Sequence, residues 1–263
     1  MIKAIFFDID GTLVSFRTHR VSVSVEKAIR QLRENGIKVF VATGRPFQVI
    51  DNLGDLEFDG YVTVNGSCCY IGRNTVIYRR EIPAVAIGHL IRYEEEQESF
   101  PCIFVRERDM FINFKNDQVA EVLRLLNFPE LPVRELKEAD KSGIFQLVAF
   151  FSVDQEKKIM ETLPECEATR WNALFTDIVP VGGSKRIGME QIMNYVGIRR
   201  EEVMAFGDGG NDIPMLDYAG IGVAMGNASA EVQSHADFVT RTVDEDGILY
   251  ALIHFGLLPE DAK

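Results

Sequence analysis

The stretch from Lys3 to Leu13, KAIFFDIDGTL, constrains the fold of this chain more than any other feature. Its residues Ala4 to Phe7 form an unbroken apolar run, typical of a strand buried on both faces of a parallel sheet. The run stops at Asp8 and Asp10, whose side chains point to the same side if the extended geometry persists. Gly11 then lets the chain turn. Open α/β sheets bind ligands at the carboxyl ends of their strands, so this strand end predicts an active site. The alternative is a strand followed by an ordinary polar turn.

The composition limits the classes of protein to which the chain can belong. Its 263 residues carry 40 acidic and 28 basic side chains, and the formal net charge of −12 argues against a nucleic-acid surface and against binding to anionic lipid. An anionic substrate would therefore need a local positive site. No apolar run has the length of a membrane span, and the start of the chain lacks a signal-peptide pattern. We predict a soluble, cytoplasmic protein; the sequence is compatible with a monomer and leaves the oligomeric state open.

The four cysteines do not have the spacing of a metal site. Cys68 and Cys69 are adjacent, and on a strand they would point to opposite faces, while Cys102 and Cys166 are isolated. We therefore predict that all four cysteines are reduced and have a structural role.

Beyond the first strand, predicted strands alternate with predicted helices, which indicates a parallel sheet. The first part of the chain has a helix over 25–35, strands over 38–42 and 61–64, and a hairpin over 68–78. The last part has a helix over 186–195, strands over 203–206, 221–224 and 238–239, and a helix over 247–255. We expect an α/β fold with a Rossmann-like parallel sheet and helices on both of its faces.

The pattern changes between about Pro83 and Val181, where predicted strands no longer end in polar, glycine-rich turns. Helices are predicted over 84–97, 117–127 and 154–162, and strands over 103–105, 110–114, 145–151, 167–170 and 174–179. We predict an inserted α+β cap domain over 82–182, with the core formed by 1–81 and 183–263. Gly182 and Gly183 could serve as a hinge or as a plain turn.

Three further strand ends carry polar residues. Thr43-Gly44-Arg45-Pro46 is followed by a predicted helix, whose free N–H groups could hold a phosphate, although the same residues could simply cap that helix. Asn65-Gly66 follows the third strand, and GDGGND, residues 207–212, follows the strand over 203–206. A parallel sheet would bring these ends to the rim where the first strand ends.

The acidic residues at these strand ends indicate a cation site. Asp8, Asp10 and Asp208 would repel one another unless a divalent cation lay among them, and hard oxygen ligands without Cys or His favour Mg²⁺ over zinc. Lys185, at the start of a predicted helix, would supply fixed positive charge; the alternative is a solvated surface lysine. Together with the phosphate-binding groups, this set predicts a phosphoryl-transfer site.

In this order, the motifs DIDGT, ATGR, a lysine after a glycine-rich loop and GDGGND resemble those of the haloacid dehalogenase superfamily. The resemblance is to its Cof-type phosphatases, which have a large type IIB cap inserted after the third strand. The stretches GTLVSFRTHR, FGDGGND and GVAMGNA are further similar to the sugar-phosphate phosphatases of that group. The resemblance covers the whole chain and implies the same fold as the alternation of strands and helices.

The resemblance also implies roles for individual residues. Asp8 would be the nucleophile that forms an aspartyl-phosphate, and Asp10 would act first as general acid and then as general base. The ligands of Mg²⁺ would be Asp8, Asp208 and the backbone carbonyl of Asp10. Asp212 would lie just behind the metal ligands; the alternative is an ordinary N-cap of a helix. The phosphate oxygens would be held by Thr43, Gly44, Lys185 and Asn211.

We therefore predict a Mg²⁺-dependent phosphatase of small phosphorylated metabolites, with hexose and other sugar phosphates as the first choice. The alternatives are a sugar phosphomutase, a phosphatase of nucleotide or cofactor phosphates such as flavin or pyridoxal phosphate, and a non-catalytic metabolite sensor. Specificity would come mainly from the cap, where Arg170 and Trp171 are candidate substrate contacts. Trp171 could instead pack in the cap core. Arg45 could contact substrate or cap a helix.

Overall fold

A computed structural model describes residues 1–107, 109–126, 128, 130–136 and 141–260, although nothing is described of the side chain of Trp171. The strands are β1 (Ala4–Phe7), β2 (Lys38–Ala42), β3 (Gly60–Thr63), β4 (Cys68–Ile71), β5 (Thr75–Arg79), β6 (Cys102–Arg106), β7 (Met110–Ile112), β8 (Ile144–Ala149), β9 (Cys166–Asn172), β10 (Phe175–Pro180), β11 (Val203–Gly207), β12 (Ile221–Ala224) and β13 (Phe238–Val239). The α-helices are α1 (Val23–Glu34), α2 (Ala84–Glu96), α3 (Asp117–Leu125), α4 (Val153–Met160), α5 (Lys185–Val196), α6 (Ile213–Tyr218), α7 (Ala230–Ser234) and α8 (Gly247–His254).

The larger of two sheets has eight strands in the order β13-β12-β11-β1-β2-β3-β4-β5. The six strands from β13 to β3 are parallel, and β4 and β5 continue the sheet as an antiparallel hairpin. Strand β1 lies between β11 and β2, so the strands with polar carboxyl ends are neighbours. This arrangement confirms the predicted Rossmann-like core.

The apolar run of β1 supplies two hydrophobic layers, because successive side chains of a strand point to opposite faces. Ile5 and Phe7 belong to the layer that packs against α1 and α8. Ala4 and Phe6 belong to the layer on the other face, which packs against α5 and α6. All four side chains are fully buried, which explains why β1 shows no alternation of apolar and polar residues.

The inserted segment forms the smaller sheet, whose five antiparallel strands have the order β7-β6-β8-β10-β9. One face of this sheet packs against α2 and α4 through a core that includes Leu90, Leu147 and Ile159. The other face contributes side chains such as Val105 and Phe175 to a core shared with α3. The segment is thus the α+β insert that the sequence predicts. Its boundaries at 82 and 182 stay our proposal; they fall in the β5–α2 and β10–α5 connections.

Three local predictions differ from the structure. The helix expected after Arg45-Pro46 is a single 3₁₀ turn, Phe47–Val49, because the backbone leaves helical geometry at Ile50, where φ is −88° and ψ is 81°. Helices α6 and α7 were not predicted, since six and five residues are too short to show a helical period. The helix predicted to reach Asn127 ends at Leu125, and Asn127 itself is outside the described residues.

Two further observations concern the chain as a whole. All four cysteines are free and buried, in agreement with the predicted structural role. Within the described part of the chain, none of the helices combines the length and the apolar character needed to cross a membrane.

Candidate active site

The strand ends that carry the predicted site residues meet at one edge of the larger sheet. Asp8 follows β1, Thr43 follows β2, Asn65 follows β3 and Asp208 follows β11. Because β11, β1, β2 and β3 are adjacent and parallel, their carboxyl ends share one rim. Asp8, Thr43 and Asn65 are buried there, and Asp208 is partly buried.

Lys185 is a buried bridge between two carboxylates. It is the first residue of α5, whose N-cap Ser184 accepts a hydrogen bond from the Ile187 N–H. The Lys185 Nζ donates to Asp8 Oδ1 and to Asp212 Oδ1, at 2.6 Å in each case. Burial alone would lower the pKa of Lys185, but the two carboxylates raise it above its ordinary value. With 1% exposure, the side chain is not a solvated surface lysine.

Asp212 organises the GDGGND loop through its other oxygen. Its Oδ2 accepts hydrogen bonds from the backbone N–H groups of Asp208 and Gly209, each with an N–O distance of 3.0 Å. Its side chain does not cap α6. Asp212 thus occupies the N-cap position of α6 without a capping hydrogen bond from its side chain, and its place behind the metal ligands stays a prediction.

Asp8, Asp208 and Asp212 form an acidic cluster that could hold a cation. One carboxylate oxygen of each residue lies within 4.8 Å of those of the other two. Burial and the neighbouring carboxylates raise the pKa of Asp8, against the opposing effect of Lys185. Burial and the Asp212 carboxylate raise the pKa of Asp208 to about 7. The hard oxygen donors fit Mg²⁺, which would offset the repulsion that raises both pKa values.

Asp10 is paired with Arg45 and not with the acidic cluster. The Arg45 Nε donates to Asp10 Oδ2 at 2.6 Å, and the Arg45 Nη2 donates to Asp10 Oδ1 at 2.8 Å. The same guanidinium donates to the carbonyls of Val49 and of Leu126, which directly follows α3. Arg45 therefore links Asp10 to the inserted domain, where the carbonyl it binds belongs to Leu126, the C-cap residue of α3. Any contribution of Asp10 to a metal would come from its backbone carbonyl, since both carboxylate oxygens face Arg45.

The Asp208 carboxylate is held by two side chains that we did not predict. The Thr12 Oγ1 donates to Asp208 Oδ1 at 3.0 Å, and the Asn227 Nδ2 donates to Asp208 Oδ2 at 3.2 Å. Asn227 also donates to the Gly11 carbonyl at 2.9 Å. Both residues lie in stretches that carried the family resemblance, DIDGT and GVAMGNA, so those two motifs contained the signal that could have found them.

Gly11 makes room for Asp208, and we expect Gly11→Ala to disrupt the site. A Cβ at Gly11 would lie 2.1 Å from Asp208 Oδ2, and the backbone φ of +86° is unfavourable for alanine. The variant should lose about 2 kcal/mol or more of unfolding free energy and most of the activity that the sequence predicts, because Asp208 must move. Urea unfolding and phosphate release measure the two effects.

Gly36→Ala is the matched control for this substitution. Gly36 has a φ of +79°, but a Cβ placed on it would meet nothing within 4 Å, so this variant isolates backbone strain from the clash. We expect a cost of about 1 kcal/mol and unchanged activity. Equal activity losses in the two variants would contradict the role assigned to Gly11.

A cavity of about 640 Å³ lies between this rim and the inserted domain. Asp8, Asp10, Gly44 and Asn211 border it on the core side. The inserted domain contributes mostly apolar side chains, which are Ile103, Val105, Met110, Val122, Leu123, Leu125, Leu126, Phe128, Val148 and Phe175. Its polar contributions include Gln146, Asp177 and Arg170. The site is therefore polar near the strand ends and largely apolar above them.

The two residues of the cap that we predicted as candidate substrate contacts are Arg170 and Trp171. Arg170 borders the cavity, but its guanidinium donates to Glu156 at 2.8 Å and to the carbonyls of Phe151 and Phe175 at 3.1 and 3.0 Å. All of these hydrogen bonds are made within the inserted domain. Arg170 therefore stabilises the wall of the cavity that this domain forms. The side chain of Trp171 lies outside the described part of the structure. Gln146 and Asp177 were not predicted, because nothing in the local sequence marks them.

Taken together, a parallel α/β core with a buried lysine among aspartates at its strand ends, covered by an inserted domain, defines a phosphoryl-transfer enzyme. The chain matches the family model of haloacid dehalogenase-like hydrolases over residues 5–252. The YkrA protein of Bacillus subtilis (strain 168) is 38% identical over 258 residues, which are 97% of this chain and 98% of YkrA.

A solved structure and a second relative extend the comparison. The HAD subclass IIB sugar phosphatase BT4131 is 41% identical, with a TM-score of 0.92 over 97% of this chain and 100% of BT4131. YitU of Bacillus subtilis (strain 168), named 5-amino-6-(5-phospho-D-ribitylamino)uracil phosphatase, is 26% identical over 93% of this chain and 94% of YitU. The chain belongs to the haloacid dehalogenase-like hydrolases and is a phosphatase of the Cof type, as the motifs predicted.

Proposed function

We propose that the protein hydrolyses sugar phosphates in a Mg²⁺-dependent reaction that passes through an aspartyl-phosphate on Asp8. The observation that carries this proposal is the position of Asp8. Its carboxylate is bound by the Lys185 ammonium at 2.6 Å and lies in the acidic cluster with Asp208 and Asp212, at the edge of a cavity closed by the inserted domain. The lysine and the cluster's cation would hold this carboxylate ionised and direct a free oxygen toward phosphorus.

In the first half-reaction, an Asp8 oxygen forms a bond to phosphorus while the bond from phosphorus to the sugar oxygen breaks. Asp10 gives the departing oxygen its proton. Both Asp10 oxygens accept from Arg45 in this structure, and each of them keeps a second lone pair that can hold that proton. In the second half-reaction, Asp10 takes a proton from water, whose oxygen attacks phosphorus and releases Asp8 with inorganic phosphate.

The metal and the phosphate would be held by different groups. Mg²⁺ would be bound by Asp8, Asp208 and the Asp10 carbonyl, with Asp212 behind them, and when bound it supplies positive charge that offsets the charge on the phosphoryl oxygens. We assign the phosphate oxygens to Thr43, Gly44 and Asn211, which border the cavity, and to Lys185, which is buried against Asp8 and donates to its Oδ1 at 2.6 Å. The Thr43 Oγ1 already accepts from the Arg45 N–H at 3.0 Å, so its own hydroxyl proton can point to a phosphate oxygen.

A second candidate is a phosphatase of cofactor phosphates such as flavin phosphates. The apolar wall of the cavity favours it, because a hexose alone offers few apolar groups to side chains such as Val105, Leu123 and Phe128. A ligand with a phosphorylated polyol and a planar ring would fill both the polar and the apolar part. The activity named for YitU has such a substrate, which supports keeping this candidate.

Release of inorganic phosphate from a panel of sugar phosphates, nucleotides and vitamin phosphates tests the proposal. We expect the highest kcat/KM on a sugar or polyol phosphate, and loss of activity with a chelator that excess Mg²⁺ restores. Activity that survives exhaustive chelation would refute the metal assignment. Isomerised sugar phosphate without phosphate release would instead identify the phosphomutase alternative.

A further inference from the structure

Arg45 is a buried arginine at the border of the cavity, and its guanidinium faces Asp10, the residue to which we assign proton transfer. Only 7% of its side chain is exposed. A buried cation costs free energy unless it is paired and hydrogen-bonded. A lysine could supply a single ion pair to Asp10, so the use of an arginine here points to the geometry of the contact and not to its charge alone.

Arg45 holds Asp10 with two hydrogen bonds and is itself held by two backbone carbonyls. Its Nε and Nη2 donate to the two Asp10 oxygens at 2.6 and 2.8 Å, and such a bidentate pair fixes the plane of the carboxylate. Its Nη1 donates to the Val49 carbonyl at 3.2 Å, and its Nη2 also donates to the Leu126 carbonyl at 3.0 Å. Because the guanidinium is rigid and planar, the two carbonyls fix its orientation and, through it, that of Asp10.

The inserted domain contributes two of these supports. Leu126 belongs to this domain, and the Phe128 ring lies with its centroid 5.4 Å from the Arg45 Cζ, within the range of a cation–π contact. The four hydrogen bonds use four of the five N–H groups of the guanidinium. Arg45 is therefore better placed to orient Asp10 than to bind a phosphate.

The orientation of Asp10 matters because a general acid must lie within hydrogen-bond distance of the oxygen that it protonates. Among the described hydrogen bonds, Arg45 is the only donor to the Asp10 side chain. Without Arg45, the carboxylate could rotate away from the bond that breaks. A small misplacement of a reacting group is enough to slow a reaction strongly.

We propose that Arg45 is a positioning residue, which holds the Asp10 carboxylate in the orientation needed for both proton transfers. In the first transfer, the Asp10 proton passes to the sugar oxygen as its bond to phosphorus breaks. In the second, Asp10 takes a proton from the water whose oxygen attacks phosphorus. This inference rests on the proposed function and goes beyond it, because it assigns to Arg45, and to its supports in the inserted domain, a part in each proton transfer.

The test compares two phosphate esters in the Mg²⁺-supplemented full-length protein. The first is the sugar phosphate with the highest kcat/KM in the release panel, whose departing oxygen needs a proton. The second is 4-nitrophenyl phosphate, whose nitrophenolate leaves as a stable anion; acetyl phosphate replaces it if the wild-type protein does not accept the aryl ester. For Arg45→Met we expect kcat/KM to fall about a hundredfold on the sugar phosphate and less than about threefold on the second ester.

The second half-reaction gives an independent reading. Both esters form the same aspartyl-phosphate, and its hydrolysis needs Asp10 as a base. With 4-nitrophenyl phosphate, Arg45→Met should therefore release about one nitrophenolate per protein molecule in a rapid burst and then turn over slowly. A merely structural role would reduce the amplitude of the burst, because misfolded protein forms no aspartyl-phosphate.

Arg45→Lys separates charge from geometry and serves if the methionine variant does not fold. It keeps the positive charge, but an ammonium group has no planar fork with which to hold both Asp10 oxygens. We expect a free energy of unfolding close to that of the wild type and the same preference for 4-nitrophenyl phosphate, of smaller size. Wild-type kcat/KM of Arg45→Lys on the sugar phosphate would overturn the inference, since charge alone would then suffice.

Arg33→Met is the matched control. Arg33 lies on α1 and pairs with Glu57 at 3.0 Å, and it is not among the described residues that border the cavity. The substitution thus makes the same chemical change to an ion-paired arginine away from Asp10. We expect kcat/KM on both esters to be unchanged.

Equal losses of kcat/KM on the two esters in Arg45→Met would also overturn the inference, because a direct contact with the phosphate would affect both esters alike. The phosphatase assignment would survive that result. Failure of the wild-type protein to release phosphate from any ester would instead overturn the proposed function, and this inference with it.

Discussion

Asp8→Asn should lower kcat by at least about a thousandfold while the protein stays folded and still binds its substrate. The substitution keeps the shape of the side chain but replaces the nucleophilic oxygen with an amide, which does not form the ester with phosphorus. Phosphate release under saturating substrate and Mg²⁺ measures the loss. Equilibrium binding of the substrate should change much less, because the side chain's main contribution is to bond formation.

Asp55→Asn is a suitable control for the Asp8 variant. It makes the same chemical change, and thus the same change in net charge, at an exposed position of the β2–β3 connection. We expect wild-type kinetics for this control. An Asp8→Asn preparation that retained a tenth or more of the activity, with deamidation excluded by mass spectrometry, would rule out covalent catalysis by Asp8.

Lys185→Met should reduce both stability and activity. The substitution leaves the Asp8 and Asp212 carboxylates, each 2.6 Å from the lysine nitrogen, without their buried counter-charge. Breaking a buried ion pair by removing one partner costs about 3–5 kcal/mol, and we expect a loss of this size in urea unfolding without added metal. We also expect kcat/KM to fall at least about a hundredfold, because Lys185 both holds Asp8 and is assigned to the phosphate.

Arg186→Met provides the comparison on the same helix. Arg186 is 47% exposed, and its ion pair with Glu190 lies on the surface of α5, where such pairs contribute at most about 1 kcal/mol. Its loss should leave activity unchanged. If Lys185→Met and Arg186→Met had the same free energy of unfolding, the ion pairs of Lys185 with Asp8 and Asp212 would not contribute the stability that we assign to them.

The parallel sheet and the site at its strand ends could be predicted because each strand and the polar residues that follow it are adjacent in the sequence. Apolar runs such as 4–7 and 39–42 mark fully buried parallel strands, and the polar residues directly after them mark the strand ends. Once those strands are parallel neighbours, the meeting of Asp8 with Asp208 follows from the topology alone. The assignment of roles beyond that meeting came from the family resemblance.

The wall of the inserted domain could not be predicted in the same way. Asp177 and Asn65 are 112 positions apart and meet only through the packing of the two sheets, for which no local pattern exists. The pairings of Asp10 with Arg45, 35 positions apart, and of Arg45 with Leu126, 81 positions apart, also depend on the packing of distant parts of the chain. The short helices α6 and α7 were missed for a different reason, since they are too brief to show a helical period.

Rapid quenching of the reaction, followed by peptide mass spectrometry, tests the central claim most directly. During turnover of the best sugar phosphate with Mg²⁺, a phosphoryl group should appear on the peptide that contains Asp8, reach a steady level and disappear when substrate is exhausted. The label should be absent from Asp8→Asn. Rapid hydrolysis with no phosphorylated Asp8 at any quench time, or with the phosphoryl group on a different residue, would contradict the account.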